Sequence, residues 1–211
     1  MSTFGQMKKA VAAFVKRTPT SMTIDGFDAI GNAINSARKY SERLVDFEHC
    51  RVQAKVDIGP DGADIGQITD LSGNPLSVKT IKNAFIPAED GTPVRLKLLT
   101  RVSHLEAPTW PLALVQSGTR LYLTSRPSVP ETVNLDVIRW LPDYVNDNDT
   151  DFLLQHCFDY MTLRSVEMLN LFLKEDLRIP INHQLLEQAW RTVRIWDASL
   201  LNASSDAAAL D

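Results

Sequence analysis

Apolar residues recur about every 3.6 positions up to residue 47, at every second position from residue 52, and about every 3.6 again beyond residue 139. A helical stripe cannot lie flat on a sheet, and an alternating pattern cannot line a helix. The chain therefore reads as helix, then strand, then helix, an order that does not suit a central parallel sheet.

In the first block, Phe4, Met7, Val11, Phe14 and Val15 share one face, and Pro19, among Thr18, Thr20 and Ser21, ends the helix. A second stripe follows with Phe27, Ile30, Ile34, Ala37, Leu44 and Phe47, and Asp25 is the expected N-cap. Gly26 and Gly31 weaken its first turns, and Arg38, Lys39, Glu42 and Arg43 fall on the opposite face.

The middle block opens with Val52, Ala54, Val56 and Ile58 alternating with Arg51, Gln53, Lys55 and Asp57, a half-buried strand stopped by Gly59-Pro60-Asp61-Gly62. Ala63 and Ile65 are expected to pair back on it as a hairpin. Leu71 to Pro75 is turn-like, and Val78 to Ile86 is a strand ended by Pro87 and Asp90-Gly91. Val94 to Leu105 fits a short helix or an irregular strand. Leu112–Gln116 and Leu121–Thr124 flank Ser117-Gly118 as a hairpin, and Val133, Leu135 and Val137 begin a last strand.

The third block starts with an acidic turn, residues 143–150, with Asp149 or Thr150 as N-cap. One helix carrying Phe152, Leu153, Tyr160, Leu163, Val166 and Leu169 is expected to run on towards Pro180. Asn182 caps a final helix with Leu185, Leu186, Ala189, Trp190, Val193 and Trp196. Residues 200–211 are small, polar and unpatterned, and read as a flexible tail. The expected fold is α+β: a bundle of the N- and C-terminal helices with an inserted antiparallel β-barrel or sandwich-like part. The divisions are 1–47, 48–141, 142–199 and the tail 200–211. Phe27, Ile30, Ile34, Leu153, Tyr160, Leu163 and Val193 are the expected bundle core.

Charge narrows the function. The total is −4, distributed as +3 over residues 1–47, −1 over 48–138 and −6 over 139–211. Tight nonspecific DNA binding over the whole surface is excluded by that balance, whereas a duct that lets DNA slide is compatible with it. Cys50 and Cys157 have no metal-ligand spacing and read as reduced, partly buried thiols. The apolar stretch Ala10 to Val15 is too short for a signal peptide. No apolar run approaches the roughly 20 residues that cross a bilayer, so a soluble chain is expected.

Candidate chemistry is sparse. Asp147-Asn148-Asp149-Thr150-Asp151 opens like a calcium loop but lacks the sixth-position glycine and has Phe158 where the closing glutamate belongs, so no metal is expected. His156 and Asp159 stand three apart on the expected helix. Asp57, Asp61 and Asp64, with His49 or His104, are a formal hydrolase set that nothing in the sequence gathers. Arg38, Lys39 and Arg43 are a formal DNA-recognition helix without helix-turn-helix spacing. No phosphate loop, GxGxxG, GxSxG or HExxH occurs, so no catalytic residue and no cofactor are expected. Trp110, in Pro108-Thr109-Trp110-Pro111, is a candidate contact residue.

The third block carries a resemblance. Ile138-Arg139-Trp140-Leu141-Pro142, the polar turn, Thr150-Asp151-Phe152-Leu153-Leu154, Phe158-Asp159-Tyr160-Met161, Phe172 to Pro180 and Leu186-Glu187-Gln188-Ala189-Trp190 follow one another in order. That succession resembles the C-terminal half of the head-to-tail adaptors of tailed bacteriophages, the neck or tail tubular protein A type. Phe152 stands where a tryptophan is more usual. Residues 33–47 resemble the second helix of phage structural proteins. The resemblance implies a non-enzymatic ring of twelve copies between the portal protein and a tail nozzle or other tail protein. It implies a channel through which DNA passes without specific binding, and a place in the neck of a virion made in the bacterial cytoplasm. Leu200, Leu201 and Leu210 would then anchor the tail in a portal groove, beside Trp110 as an interface candidate.

Overall fold

The computed structural model describes residues 2–18, 20–24, 26–87, 92–99, 112–125, 127–171, 173 and 180–207, the side chains of 20, 24 and 201–207 excepted. The fold is mixed α+β in two compact units, Met1–His49 with Pro142–Asp211, and Cys50–Leu141.

The helical unit begins with α1 (Phe4–Phe14), capped by Thr3 in a reciprocal box with Gln6. A two-stranded ribbon, β1 (Thr23–Ile24) and β2 (Phe27–Asp28), turns at Gly26, whose φ of +81° suits glycine. Helix α2 (Ala29–Leu44) follows, and its cap is Asp28, which accepts the Gly31 N–H at 2.8 Å; the expected cap, Asp25, lies outside the described residues. Phe27 belongs to the ribbon and is 46% exposed, so it is not core as the stripe suggested. Gly31 is a site of close approach: a Cβ there would meet Asp28 at 2.5 Å and Phe4 at 3.2 Å.

One long helix was expected after the acidic turn, but it breaks in two. Helix α3 (Phe152–His156), capped by Asp151 rather than by Asp149 or Thr150, stops at Cys157, where φ −124° and ψ 30° leave the helical region. Helix α4 (Phe158–Leu169) restarts with a new phase, burying Tyr160, Met161, Ser165, Val166 and Leu169. Leu163 is consequently only half-buried. Helix α2 lies along α4, with Ile30, Ile34 and Ala37 fully buried, and α1 and α5 (His183–Ala207) also pack on α4. Asn182 caps α5 as expected, accepting the Gln184 and Leu185 N–H groups. The helix continues past residue 199 to Ala207, where an unpatterned tail was expected. No glycine or proline interrupts residues 183–207, and Ala203 and Ala207 have high helix propensity, so the backbone continues without an apolar stripe to guide it.

Among the described residues the strand unit holds two open sheets. One has the order β5 (Thr69–Asp70), β3 (Arg51–Ile58), β11 (Glu131–Arg139), β6 (Val78–Ile86), β7 (Val94–Arg95). The other has the order β4 (Ala63–Asp64), β10 (Arg120–Leu123), β9 (Ala113–Ser117), β8 (Lys97–Leu99). Their inner faces share one core, including Ala54, Val56, Ile58, Ala84, Leu114, Leu121, Leu123, Val133, Leu135 and Val137. The arrangement is sandwich-like; among the described residues the sheets do not close into a barrel.

Two strand expectations change. Ala63 does not pair back on β3; β4 joins β10, with Ala63 opposite Leu121 and Asp64 opposite Arg120. Gly62 permits this, with φ +84° and a virtual Cβ only 2.5 Å from the Leu121 carbonyl. The insertion is also not wholly antiparallel, because β8 runs parallel to β9, Lys97 opposite Ala113. The chain reaches β8 directly from β7 at the edge of the other sheet, and that direction of travel sets the parallel sense. The Ser117-Gly118 hairpin forms as expected.

Candidate functional site

The helical unit buries a charged pair. Arg38, expected on the solvent face of α2, is fully buried, donating to Glu42 at 3.0 Å and to Asp143; Lys39 donates to Asp143 at 2.7 Å. Burial opposes the charge of Asp143, yet Lys39 and Arg38 hold its carboxyl below the ordinary aspartate range. Tyr144 packs between Phe4 and the Arg38 guanidinium, and its hydroxyl donates to Asp151 at 2.5 Å. Burial, with Asp151 next, raises its pKa. A guanidinium spent in this way cannot neutralise DNA phosphates, which takes Arg38 out of the recognition-helix set, while Lys39 and Arg43 are exposed.

The acidic turn has structural work for each carboxylate. Asp147 pairs with Lys8 at 2.5 Å, Asp149 accepts the Val145 and Asn146 N–H groups, and Asp151 caps α3. The turn also closes the start of α1: Phe4 N–H donates to the Asp149 carbonyl at 2.8 Å and Gly5 N–H to that of Asp147 at 2.9 Å. Among the described residues no cluster of His, Cys, Asp and Glu could hold a metal.

His156 and Asp159 are separated by the break at Cys157. His156 stacks on Trp196 at 4.8 Å, and His49 lies 4.7 Å from Phe152 and 5.5 Å from Trp196. Trp196 also stacks on Phe152, while Trp190 packs on Phe47 and Tyr160, so these tryptophans dock α5. Asp197 is buried beside them and accepts the Glu48 N–H at 3.0 Å; burial raises its pKa. Cys157, in a hollow of about 300 Å³ between α4 and α5, is pushed up to about 12 by burial, with Asp151 and Asp197 adding to the shift. A thiol so placed is a poor nucleophile. Cys50 is likewise buried and lies outside any disulfide.

In the strand unit, Asp57 accepts from Thr132 at 2.6 Å, the Asp61 carbonyl accepts from Arg120 at 3.0 Å, and Asp64 caps the turn at Gly66 and Gln67. No shared reaction centre unites these three groups. The interface candidate Leu200 is half-buried on α5, and Leu201 lies on the same helix. Trp110, Leu210 and His104 lie outside the described residues.

The outer face of the five-stranded sheet carries an extended polar row. Arg51 grips Asp136 through Nε, at 2.8 and 2.9 Å, and through its second guanidinium nitrogen. Asn83 donates to Asp136 at 3.0 Å, and Arg95 donates to Asn83 at 2.7 Å. Burial opposes the charge of Asp136, but Arg51 and Asn83 lower its pKa. The row crosses four neighbouring strands, β3, β11, β6 and β7, because their register brings Asp136 opposite both Gln53 and Asn83. A hollow of about 520 Å³ beside it is lined by Leu71, Phe85, Pro93, Arg51, Asn134 and Asp136, among others. Sequence reading marked Arg51 only as an outward residue. The usable signal was the irregular inward spacing of Val78, Ile81, Ala84 and Ile86, which betrays bulges in β6.

The chain matches no protein-family model and no curated protein. No helix among the described residues is long and apolar enough to cross a membrane.

Proposed function

We propose that the chain is a structural head-to-tail adaptor of a tailed bacteriophage, a non-enzymatic subunit of a ring of twelve copies in the neck of the virion. The ring would sit between the portal protein and a tail nozzle or other tail protein, with DNA passing through it. One observation carries the reading: the two ends of the chain build a helical unit, and the segment between Cys50 and Leu141 is inserted as a separate strand-rich unit. On the resemblance, the helical bundle would dock beneath the portal and the strand-rich part would point towards the tail. The acidic balance of residues 139–211 suits a wall along which phosphate slides. The burial of Arg38 takes one of the three cations away from the DNA-binding regulator reading.

Mixed with its portal protein, the chain should co-sediment, and negative-stain images of the complex should show a ring. No co-sedimentation, with a monomer or dimer by native mass under the same conditions, overturns the reading.

A further inference from the structure

Helix α1 carries charge of one sign. No aspartate or glutamate precedes Asp25, whereas Lys8, Lys9, Lys16 and Arg17 all fall in that stretch of a chain whose net charge is −4. Lys8 is neutralised by Asp147 and, at 3.7 Å, by Asp28. Lys9, Lys16 and Arg17 are exposed, and among the described residues their side chains have no hydrogen-bond or ion-pair partner. Lys16 follows Lys9 by two turns, about 10 Å along the helix axis.

The end of α1 places two of these cations in an unusual setting. The Lys16 N–H donates to the Ala13 carbonyl at 3.0 Å and the Arg17 N–H to the Ala12 carbonyl at 2.9 Å, which closes the helix around its C-cap, Val15. Those paired bonds make a Schellman cap, which favours glycine at its left-handed position and an apolar residue directly after it. Here Lys16 takes the left-handed position with φ +54°, and it is the only non-glycine residue with a positive φ among the described residues. Arg17 takes the position after it, exposed. Both positions are thus filled by cations against the preference of the backbone. Attraction to the negative end of the helix favours a cation there, but a lysine in the last turn, in ordinary helical backbone, would gain the same.

We propose that Lys9, Lys16 and Arg17 form a contact surface for the phosphate backbone of a nucleic acid, held without regard to base sequence. Long cationic side chains on an exposed helix are the groups that meet phosphate oxygens, and such contacts position the partner without reading it. A lipid surface fits less well. The apolar side of α1, with Phe4, Met7, Val11, Ala12 and Val15, is buried, so the helix has no apolar face left to insert. An acidic protein also fits less well, because a specific protein contact is built round a desolvated apolar centre. Beside the cations, Gln6, Ala13 and Thr18 are exposed, and Phe14, 44% exposed, adds one large apolar side chain. Three phosphate contacts make a weak, salt-sensitive hold, which is compatible with the acidic balance of the whole chain. The surface rests on α1 and not on the adaptor reading.

The test uses the full chain and a short mixed-sequence DNA duplex. At low ionic strength the amide resonances of Lys9, Lys16 and Arg17 should shift and saturate. Between about 50 and 200 mM salt the affinity should fall about 40-fold, because three phosphate contacts give a logarithmic slope of about −2.7. Lys16→Gly should reduce that slope by about 1 and melt no lower than the unaltered chain, since glycine suits the left-handed cap. The triple variant Lys9→Gln with Lys16→Gln and Arg17→Gln should bind about tenfold more weakly or worse at the lower salt. Lys55→Gln, on β3, should bind like the unaltered chain. The proposal is overturned if the triple variant binds the duplex as the unaltered chain does, or if Lys16→Gly lowers the melt and leaves the slope unchanged. It is also overturned if phosphatidylserine vesicles or polyglutamate are bound more tightly than the duplex under the same conditions, which would identify a membrane or an acidic protein surface instead.

Discussion

The two units handle charge in opposite ways. In the helical unit, Arg38 and Glu42 are 0% and 2% exposed, and their partner Asp143 reaches back across more than a hundred residues of sequence. In the strand unit, the comparable pair Arg51 and Asp136 lies on an outer sheet face, where the Arg51 side chain is 37% exposed. Asp143 in the first group and Asp136 in the second are both held below the ordinary aspartate pKa. Burial makes the first pair difficult to break, because any charge left behind has no water to turn to. The second can lose a partner and be resolvated. Close hydrogen bonding is thus a poor guide to energetic weight unless burial is read with it.

That contrast can be broken most directly at its centre. Arg38→Ala should destabilise the helical unit by about 3–5 kcal/mol in urea unfolding, because it strands Glu42 in the interior. Arg51→Ala should cost about 1 kcal/mol or less. Equal losses would show that burial does not separate the two pairs.

Apolar burial should grade in the same direction. Ile30→Ala, at a fully buried position on α2, should cost about 2–5 kcal/mol. Leu163→Ala, on the flank of α4, should cost clearly less. A reversed order in thermal or urea melts would mean that α4 does not change phase at Cys157.

A smaller effect is expected at the hydrogen bond between Tyr160 and Ser41, whose hydroxyls lie 2.8 Å apart in the core. Tyr160→Phe should cost about 0.5–1.5 kcal/mol, since Ser41 keeps its bond to the Ala37 carbonyl. A loss as large as that of Ile30→Ala would point to a wider polar network.

The pH dependence should divide by carboxylate. Asp143 and Asp136 have lowered pKa values, so the stability they contribute is present above the unfolded aspartate value, about 3.9, and is lost as pH falls through their folded values. Asp197 is raised, so its buried charge weakens the fold at neutral pH, and that penalty fades as pH falls through its folded value towards the unfolded one. Asp197→Asn should therefore be more stable than the unaltered chain at pH 7, with the advantage shrinking in acid. An advantage that grows in acid would contradict the assignment.

Much of the architecture was legible without coordinates, because periodicity is a local property. The alternation of Val52, Ala54, Val56 and Ile58 placed β3, the run from Val78 to Ile86 placed β6, and Asn182 announced α5. The candidate sites were hardly legible. Arg38 reads as a solvent residue from its own helix, and only Glu42 and Asp143 together reveal a buried pair. The row from Arg51 to Arg95 requires the pairing order of four strands.

The sequence by itself determined where helix gives way to strand and back. Side-chain spacing sets the period, and the period is written in consecutive residues. Only the tertiary structure decided that Ala63 pairs with Leu121 instead of closing a hairpin on β3, and that a chain crossing between sheets makes β8 parallel. It likewise decided that Cys157 splits a helix and that bulges interrupt the pairing of β6 with β11. These outcomes depend on which distant segment supplies a hydrogen-bond partner or a desolvated countercharge, and that competition is resolved among all the segments at once.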